Sequence, residues 1–174
     1  MSDAFLSIRP GTLTSDVFIE TYGGIYEHSQ WIADGAFETR KGGNLVTVNS
    51  LHQAMMIVLD AAKEAAKMTL ICAHPDLAGK LAIGEALTTE STAEQKGAGL
   101  DRCTPDEFEE FQTLNTAYKA KFGFPFIIAV KGIGRRRILA AFRARINNDR
   151  ETEFNMALTQ INRIAFFRLA ELAE

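Results

Sequence analysis

The sequence has 174 residues, 47% hydrophobic and 24% charged, which suits one globular domain and excludes long disorder. Nineteen Lys and Arg against 22 Asp and Glu give a net charge of −3, which argues against a general nucleic-acid or anionic-membrane binder. Two cysteines, Cys72 and Cys103, are too few for a disulfide scaffold and form no CxxC or Cys/His cluster.

The first ten residues lack the basic start and long apolar core of a signal peptide, and no apolar run approaches the roughly 20 residues of a membrane span. A cytoplasmic protein is therefore expected. Along the chain, helices are expected over Asp16–Glu27 and Ser29–Phe37, followed by a loop over Glu38–Leu45. Ser50 can cap a helix whose apolar stripe is Leu51, Met55, Val58, Ala62 and Ala65, with Asp60, Lys63, Glu64 and Lys67 opposite. Thr104-Pro105-Asp106-Glu107 is a strong helix start: Thr104 accepts from first-turn amides, Pro105 suits the first helical position and Glu107 closes a capping box. Its stripe is Phe108, Phe111, Leu114, Tyr118 and Phe122, with Gly123 as C-cap. Phe124–Val130 is strand-like in composition but has no partner strand, so it reads as a buried extended stretch or short helix. A last helix runs from about Asp149 to Leu172 on a seam of Phe154, Leu158, Ile161, Ala165, Leu169 and Leu172. The expectation is one all-α domain over residues 1–174.

Several motifs fail on inspection. Ala78-Gly79-Lys80 resembles a phosphate loop, but His74 stands where glycine is required and Leu81 where the magnesium-binding hydroxyl belongs. Gly132-Ile133-Gly134 is half a dinucleotide fingerprint with no βαβ unit around it. His28, His52 and His74 are too widely spaced for a local zinc pair. Arg135-Arg136-Arg137 could hold an anionic ligand at a helix start but reads in preference as a solvated basic turn, and no Gly-x-Ser-x-Gly elbow exists.

Three polar positions remain. Pro75 forces His74 out of helical geometry where an apolar segment opens into a loop, a setting that suits a general acid or base as well as a satisfied structural histidine. Ser91-Thr92-Ala93-Glu94-Gln95 reads first as a capping box with Glu94 bonded to the Ser91 amide, and second as a polar helix start facing a ligand. Arg168 is the charged member of an apolar seam. It either snorkels to solvent or meets a carboxylate or anionic ligand.

These residues are also ordered like a family signature. His74-Pro75-Asp76-Leu77-Ala78-Gly79-Lys80 followed by Ser91-x-x-Glu94-Gln95-x-x-Ala98-Gly99-Leu100 resembles the OHCU decarboxylases, which act on 2-oxo-4-hydroxy-4-carboxy-5-ureidoimidazoline in urate degradation. The resemblance extends to Tyr26-Glu27-His28-Ser29-Gln30-Trp31, Phe122-Gly123-Phe124-Pro125-Phe126 and Ile164-x-x-x-Arg168-Leu169, and so to nearly the whole chain. At position 30 glutamine replaces the family's usual proline, a helix-start detail away from the chemistry.

The resemblance implies an all-α, cofactor-free and metal-free homodimer that releases (S)-allantoin. It makes His74 the acid/base, Glu94 its carboxylate partner and Arg168 the C-terminal site arginine, all three catalytic. Pro75, Ser91, Gln95, Phe126, Ile128 and Val130 are implied to line the substrate site. A C=N bond in the substrate ring can receive the electron pair left by CO2, so no pyridoxal phosphate, thiamine or metal is required as an electron sink. The competing expectations are a non-enzymatic helical interaction module and another small-molecule lyase or hydrolase on the same scaffold.

Overall fold

The computed structural model describes residues 4–40, 45–79 and 87–173. Among them are eight α-helices and two isolated antiparallel bridges, Phe5 with Thr47 and Leu6 with Ala173. The all-α expectation is borne out. The chain divides into two compact units, Met1–Ala73 with Asn162–Glu174, and His74–Ile161.

The first unit contains α1 (Ser15–Tyr22), α2 (Trp31–Thr39), α3 (Val48–Ala61), α4 (Glu64–Ala73) and the C-terminal part of α8 (Arg150–Glu171). The expected helix over Asp16–Glu27 stops at Tyr22, where Gly23 caps it and its amide donates to the Ile19 carbonyl at 2.8 Å. Residues 23–30 form a connecting loop, which takes Glu27 out of the helix and makes it a buried loop carboxylate. The next helix begins at Trp31, two residues later than expected from Ser29. The loop expected over Glu38–Leu45 lies partly outside the described residues, as do Lys80 and Leu81.

Thr47, not Ser50, caps α3. Its hydroxyl accepts from the Ser50 amide at 3.2 Å while Ser50 Oγ accepts from the Thr47 amide at 3.0 Å, a reciprocal box that moves Ser50 to the third helical position. The single helix expected through Ala65 is two helices. Ala62 takes an extended backbone (ψ 151°), and α4 starts at Glu64. Neither glycine nor proline marks that break, so the apolar period reads straight through it. A methyl on Gly35 of α2 would lie 2.6 Å from Val58 Cγ1, so glycine permits the close approach of α2 to α3. Phe18 packs its ring against Tyr22 and Phe37 at centroid distances of 5.1 and 5.2 Å. The Ser7 amide donates to the Leu172 carbonyl at 3.0 Å, tying the first residues of the chain to the end of α8.

The second unit contains α5 (Thr89–Gly97), α6 (Pro105–Phe122), α7 (Arg135–Arg145) and the first part of α8. Helix α6 starts and stops as its sequence predicts: Thr104 and Glu107 form the capping box, Pro105 opens the first turn, and Gly123 takes φ 81°. The arginine run lies at a helix start, the less favoured of its two expected settings, and not in a solvated turn. It is the first turn of α7, and Arg135 Nε donates to Glu107 at 2.6 Å, so this arginine braces the start of α6. Phe124–Val130 is a largely buried stretch without regular structure.

The core of this unit is an aromatic cluster around Tyr118, with the rings of Phe122, Phe126 and Phe142 at 4.4, 5.4 and 5.7 Å, and Phe126 stacked on Phe142 at 3.9 Å. Glu153 is enclosed in it with no exposed surface. The Tyr118 hydroxyl donates to Glu153, and Arg145 Nη2 and Asn148 Nδ2 both donate to the same carboxylate at 2.8 Å. Arg145 Nη1 continues to the Ile127 carbonyl at 2.7 Å, and its guanidinium lies over the Phe126 ring. Gln160 Oε1 accepts from the Ala129 amide at 3.0 Å. In the 126–130 stretch the Ile127 carbonyl and the Ala129 amide are therefore satisfied by side chains of α7 and α8 where a sheet would use a neighbouring strand.

Burial pushes the Glu153 carboxyl up, but hydrogen bonds from Arg145, Tyr118 and Asn148 and the Arg145 charge outweigh it and hold the group below the usual glutamate value. Such a carboxylate stabilises the fold above its unfolded pKa and loses that contribution as pH falls through the lower folded one. Glu153→Gln is expected to cost about 3–5 kcal/mol at neutral pH, because Arg145 is left buried without a counter-charge. The loss should shrink on acidification through roughly pH 4 and below, which urea midpoints measured against pH would show.

Candidate active site

Helix α4 ends at Ala73, and His74 is the first residue of the turn that follows, buried at 8% exposure. Pro75 comes next, so the backbone cannot continue helically, and Ala78 adopts φ 51°, a left-handed conformation that a non-glycine residue holds only when its surroundings impose it. Three carboxamides do so. Gln95 of α5 accepts from the Ala78 amide through Oε1 at 3.1 Å and donates through Nε2 to the Asp76 carbonyl at 3.3 Å. Asn115 and Gln112 of α6 donate to the carbonyls of Leu77 and Ala78 at 2.9 and 3.2 Å. Asp76 itself pairs with Lys119 at 2.5 Å. The turn that starts with His74 is thus held along its backbone by two helices.

The α5 helix is capped by Thr88, whose hydroxyl accepts from the Ser91 amide at 3.3 Å. The capping box expected between Ser91 and Glu94 is therefore corrected: Ser91 lies inside the helix, and its amide is already bonded to Thr88. Ser91 and Gln95, one helical turn apart, form the buried face of α5, with Glu94 half-buried beside it. Phe126 and Val130 are buried and Ile128 is half-buried in the 126–130 stretch of the same unit.

Arg168 belongs to the first unit. It does not snorkel: its side chain is 5% exposed, and Nη2 donates to Glu27 Oε2 at 3.0 Å, with the carboxylate only 2% exposed. Nη1 faces the Ile25 and Gly24 carbonyls at 3.4 and 3.5 Å, the long end of the hydrogen-bond range.

The other histidines differ from His74. His52 Nε2–H donates to the Asn162 carbonyl at 2.8 Å and the ring meets Phe166 edge-on; burial, partly offset by that carbonyl, lowers its pKa. His28 is exposed on the loop between α1 and α2, with φ 45°. Sequence reasoning gave no role to Gln112, Asn115 or Glu27. The first two sit on a helix read only for its apolar stripe, and Glu27 was placed in a helix that ends five residues earlier.

The family model described as OHCU decarboxylase matches residues 11–170. The chain belongs to the OHCU decarboxylase family. It is 40% identical over 155 residues to the 2-oxo-4-hydroxy-4-carboxy-5-ureidoimidazoline decarboxylase of Halalkalicoccus jeotgali, covering 89% of this chain and 84% of that protein. It is also 40% identical over 160 residues to the uric acid degradation bifunctional protein PucL of Bacillus subtilis, covering 92% of this chain but only 31% of that one. A crystal structure of (S)-allantoin synthase superposes with a TM-score of 0.76 at 31% identity, over 94% of this chain and 52% of the other. A crystal structure of OHCU decarboxylase in the presence of (S)-allantoin, 21% identical with a TM-score of 0.62 over 79% of this chain and 89% of the other, shares the fold.

His74 and Pro75 thus open a turn that three carboxamides fix. Asn115→Leu removes the donor to the buried Leu77 carbonyl and is expected to cost about 1–3 kcal/mol, measured by urea denaturation.

Proposed function

We propose that this chain catalyses decarboxylation of 2-oxo-4-hydroxy-4-carboxy-5-ureidoimidazoline to (S)-allantoin, with His74, Glu94 and Arg168 as its catalytic groups. The observation that carries the reading is the His74 turn: a buried imidazole, released from α4 by Pro75, on a backbone fixed by Gln95, Gln112 and Asn115. A backbone held this closely restricts where the imidazole can lie, and proton transfer demands such placement to within a fraction of an ångström.

The bond from C4 to the substrate carboxylate breaks, CO2 leaves, and the electron pair forms a C4=C5 bond as the C5=N electrons move onto nitrogen, which takes up a proton. The 4-hydroxyl then gives up its proton to become a carbonyl, and C5, which bears the ureido group, takes a proton on one face. His74 handles the proton of the 4-hydroxyl or of the carbon, and Glu94 sets its orientation or charge. Arg168 meets the anionic or ureido end of the substrate, for which its planar fork is suited. Pro75, Ser91, Gln95 and the Phe126, Ile128 and Val130 positions line the substrate. Gln95, whose amide already holds the turn at both ends, contributes first by keeping it in place. The family resemblance further supports a homodimer acting in the cytoplasm; among the described residues no helix is long and apolar enough to cross a membrane.

The test generates the substrate in situ from urate with the two preceding enzymes and follows allantoin chirality by circular dichroism. The purified protein is expected to accelerate the reaction and to give one enantiomer; a rate and racemic product equal to spontaneous decay would sink the reading. His74→Ala should lose roughly 100-fold or more in kcat, in line with general acid–base contributions of about 10²–10⁴. Wild-type turnover in that variant would remove His74 from the mechanism and leave the family assignment in place.

A further inference from the structure

We propose that Glu27 is a positioning residue for Arg168, and that by neutralising the guanidinium it makes Arg168 act through directed hydrogen bonds and not through net positive charge. This rests on the reading of Arg168 as a substrate-contacting group.

The geometry comes first. Glu27 and Arg168 are both almost wholly enclosed, at 2% and 5% side-chain exposure, and are joined at 3.0 Å. The loop that carries Glu27 wraps the same guanidinium with the Gly24 and Ile25 carbonyls. That loop is held independently of the ion pair. The Tyr26 hydroxyl donates to Asn162 Oδ1 at 2.7 Å, and Asn162 lies on α8, the helix that carries Arg168. The Ser29 amide closes the turn onto the Tyr26 carbonyl at 3.2 Å, and His28, directly after Glu27, is held at φ 45°. A side chain of this length loses its rotamer freedom only when its head is fixed, and here a carboxylate on a constrained loop fixes it.

The charge comes second. Decarboxylation moves negative charge out of the substrate carboxylate and into the ring. A bare guanidinium beside that carboxylate would stabilise the ground state more than the transition state, and so tighten binding while slowing the reaction. A guanidinium already paired with Glu27 keeps its directional N–H groups but carries no net charge as a pair. Binding energy then goes into orientation, the part that raises turnover.

The experiment measures kcat and KM for the wild-type protein, Glu27→Gln and Glu27→Asp at low and high ionic strength, with circular dichroism of the allantoin formed. Thermal melts report the folded fraction of each. Glu27→Gln keeps the shape and exposes the Arg168 charge, so kcat should fall by roughly tenfold or more. Its KM should stay level or fall, and should become salt-dependent where the wild-type value is not. Glu27→Asp keeps the charge but withdraws it by one methylene, so kcat should fall while the salt response stays that of the wild type. A purely structural Glu27 would lower the melting temperature and leave kcat per folded molecule, KM and the salt response untouched; that result overturns the proposal. If Glu27→Gln does not fold, Glu27→Asp decides, and a wild-type kcat in it overturns the proposal. Absence of turnover in the wild-type protein, or full turnover in Arg168→Met, sinks the functional reading of Arg168 and this proposal with it. Failure of Glu27→Gln alone, with Arg168→Met inactive, sinks only the proposal.

Discussion

A carboxylate enclosed in a protein must find its counter-charge there, and among the described residues each unit of this chain encloses one such carboxylate. In the second unit Glu153 collects Arg145, Tyr118 and Asn148, and Arg145 reaches on to the Ile127 carbonyl. In the first, Glu27 meets Arg168. Each pair ties a helix to a segment that has no regular structure of its own: α7 and α8 to the 126–130 stretch, and α8 to the 23–30 loop. Desolvating both partners is expensive, and only good geometry with further hydrogen bonds offsets it. Each pair therefore specifies where an irregular segment must lie more than it adds net stability.

The same logic, with neutral groups, governs the turn that begins with His74. Proline removes the helical option, and Ala78 is left in a conformation it would not choose. Gln95, Gln112 and Asn115 absorb the peptide groups that a helix would otherwise have bonded. The residues surrounding His74 are mostly a prescription for this turn: Pro75 breaks the helix, Gln95 bonds the Asp76 carbonyl and the Ala78 amide, and the Leu77 and Ala78 carbonyls receive α6 carboxamides.

How legible was this in the sequence? Helix α6 was readable to the residue because Thr104, Pro105, Glu107 and Gly123 are all local signals that act within one turn. The break after α3 was not, because one extended residue at Ala62 has no compositional mark. Helix α7 is faint in the sequence because its first turn is three arginines, and Ile138, Leu139 and Phe142 make only a short apolar stripe behind them. Among the candidate catalytic groups, His74, Glu94 and Arg168 stand out in the sequence as polar residues in apolar or capping contexts. The groups that hold them do not: Asn115 is 38 residues from Leu77, and Glu27 is 141 from Arg168. Sequence spacing of that order carries no pairing information, since only the folded backbone brings such residues within bonding distance.

The buried Arg145–Glu153 pair also sets how the second unit responds to heat. Hydration of charged groups becomes less favourable as temperature rises, so the cost of keeping both groups away from water diminishes, while the gain from burying Tyr118 and the phenylalanines around it levels off. An arrangement that is close to neutral near room temperature thus becomes a relative strength on warming. The polar centre of this aromatic cluster is the part of the unit whose share in stability grows as the protein is heated.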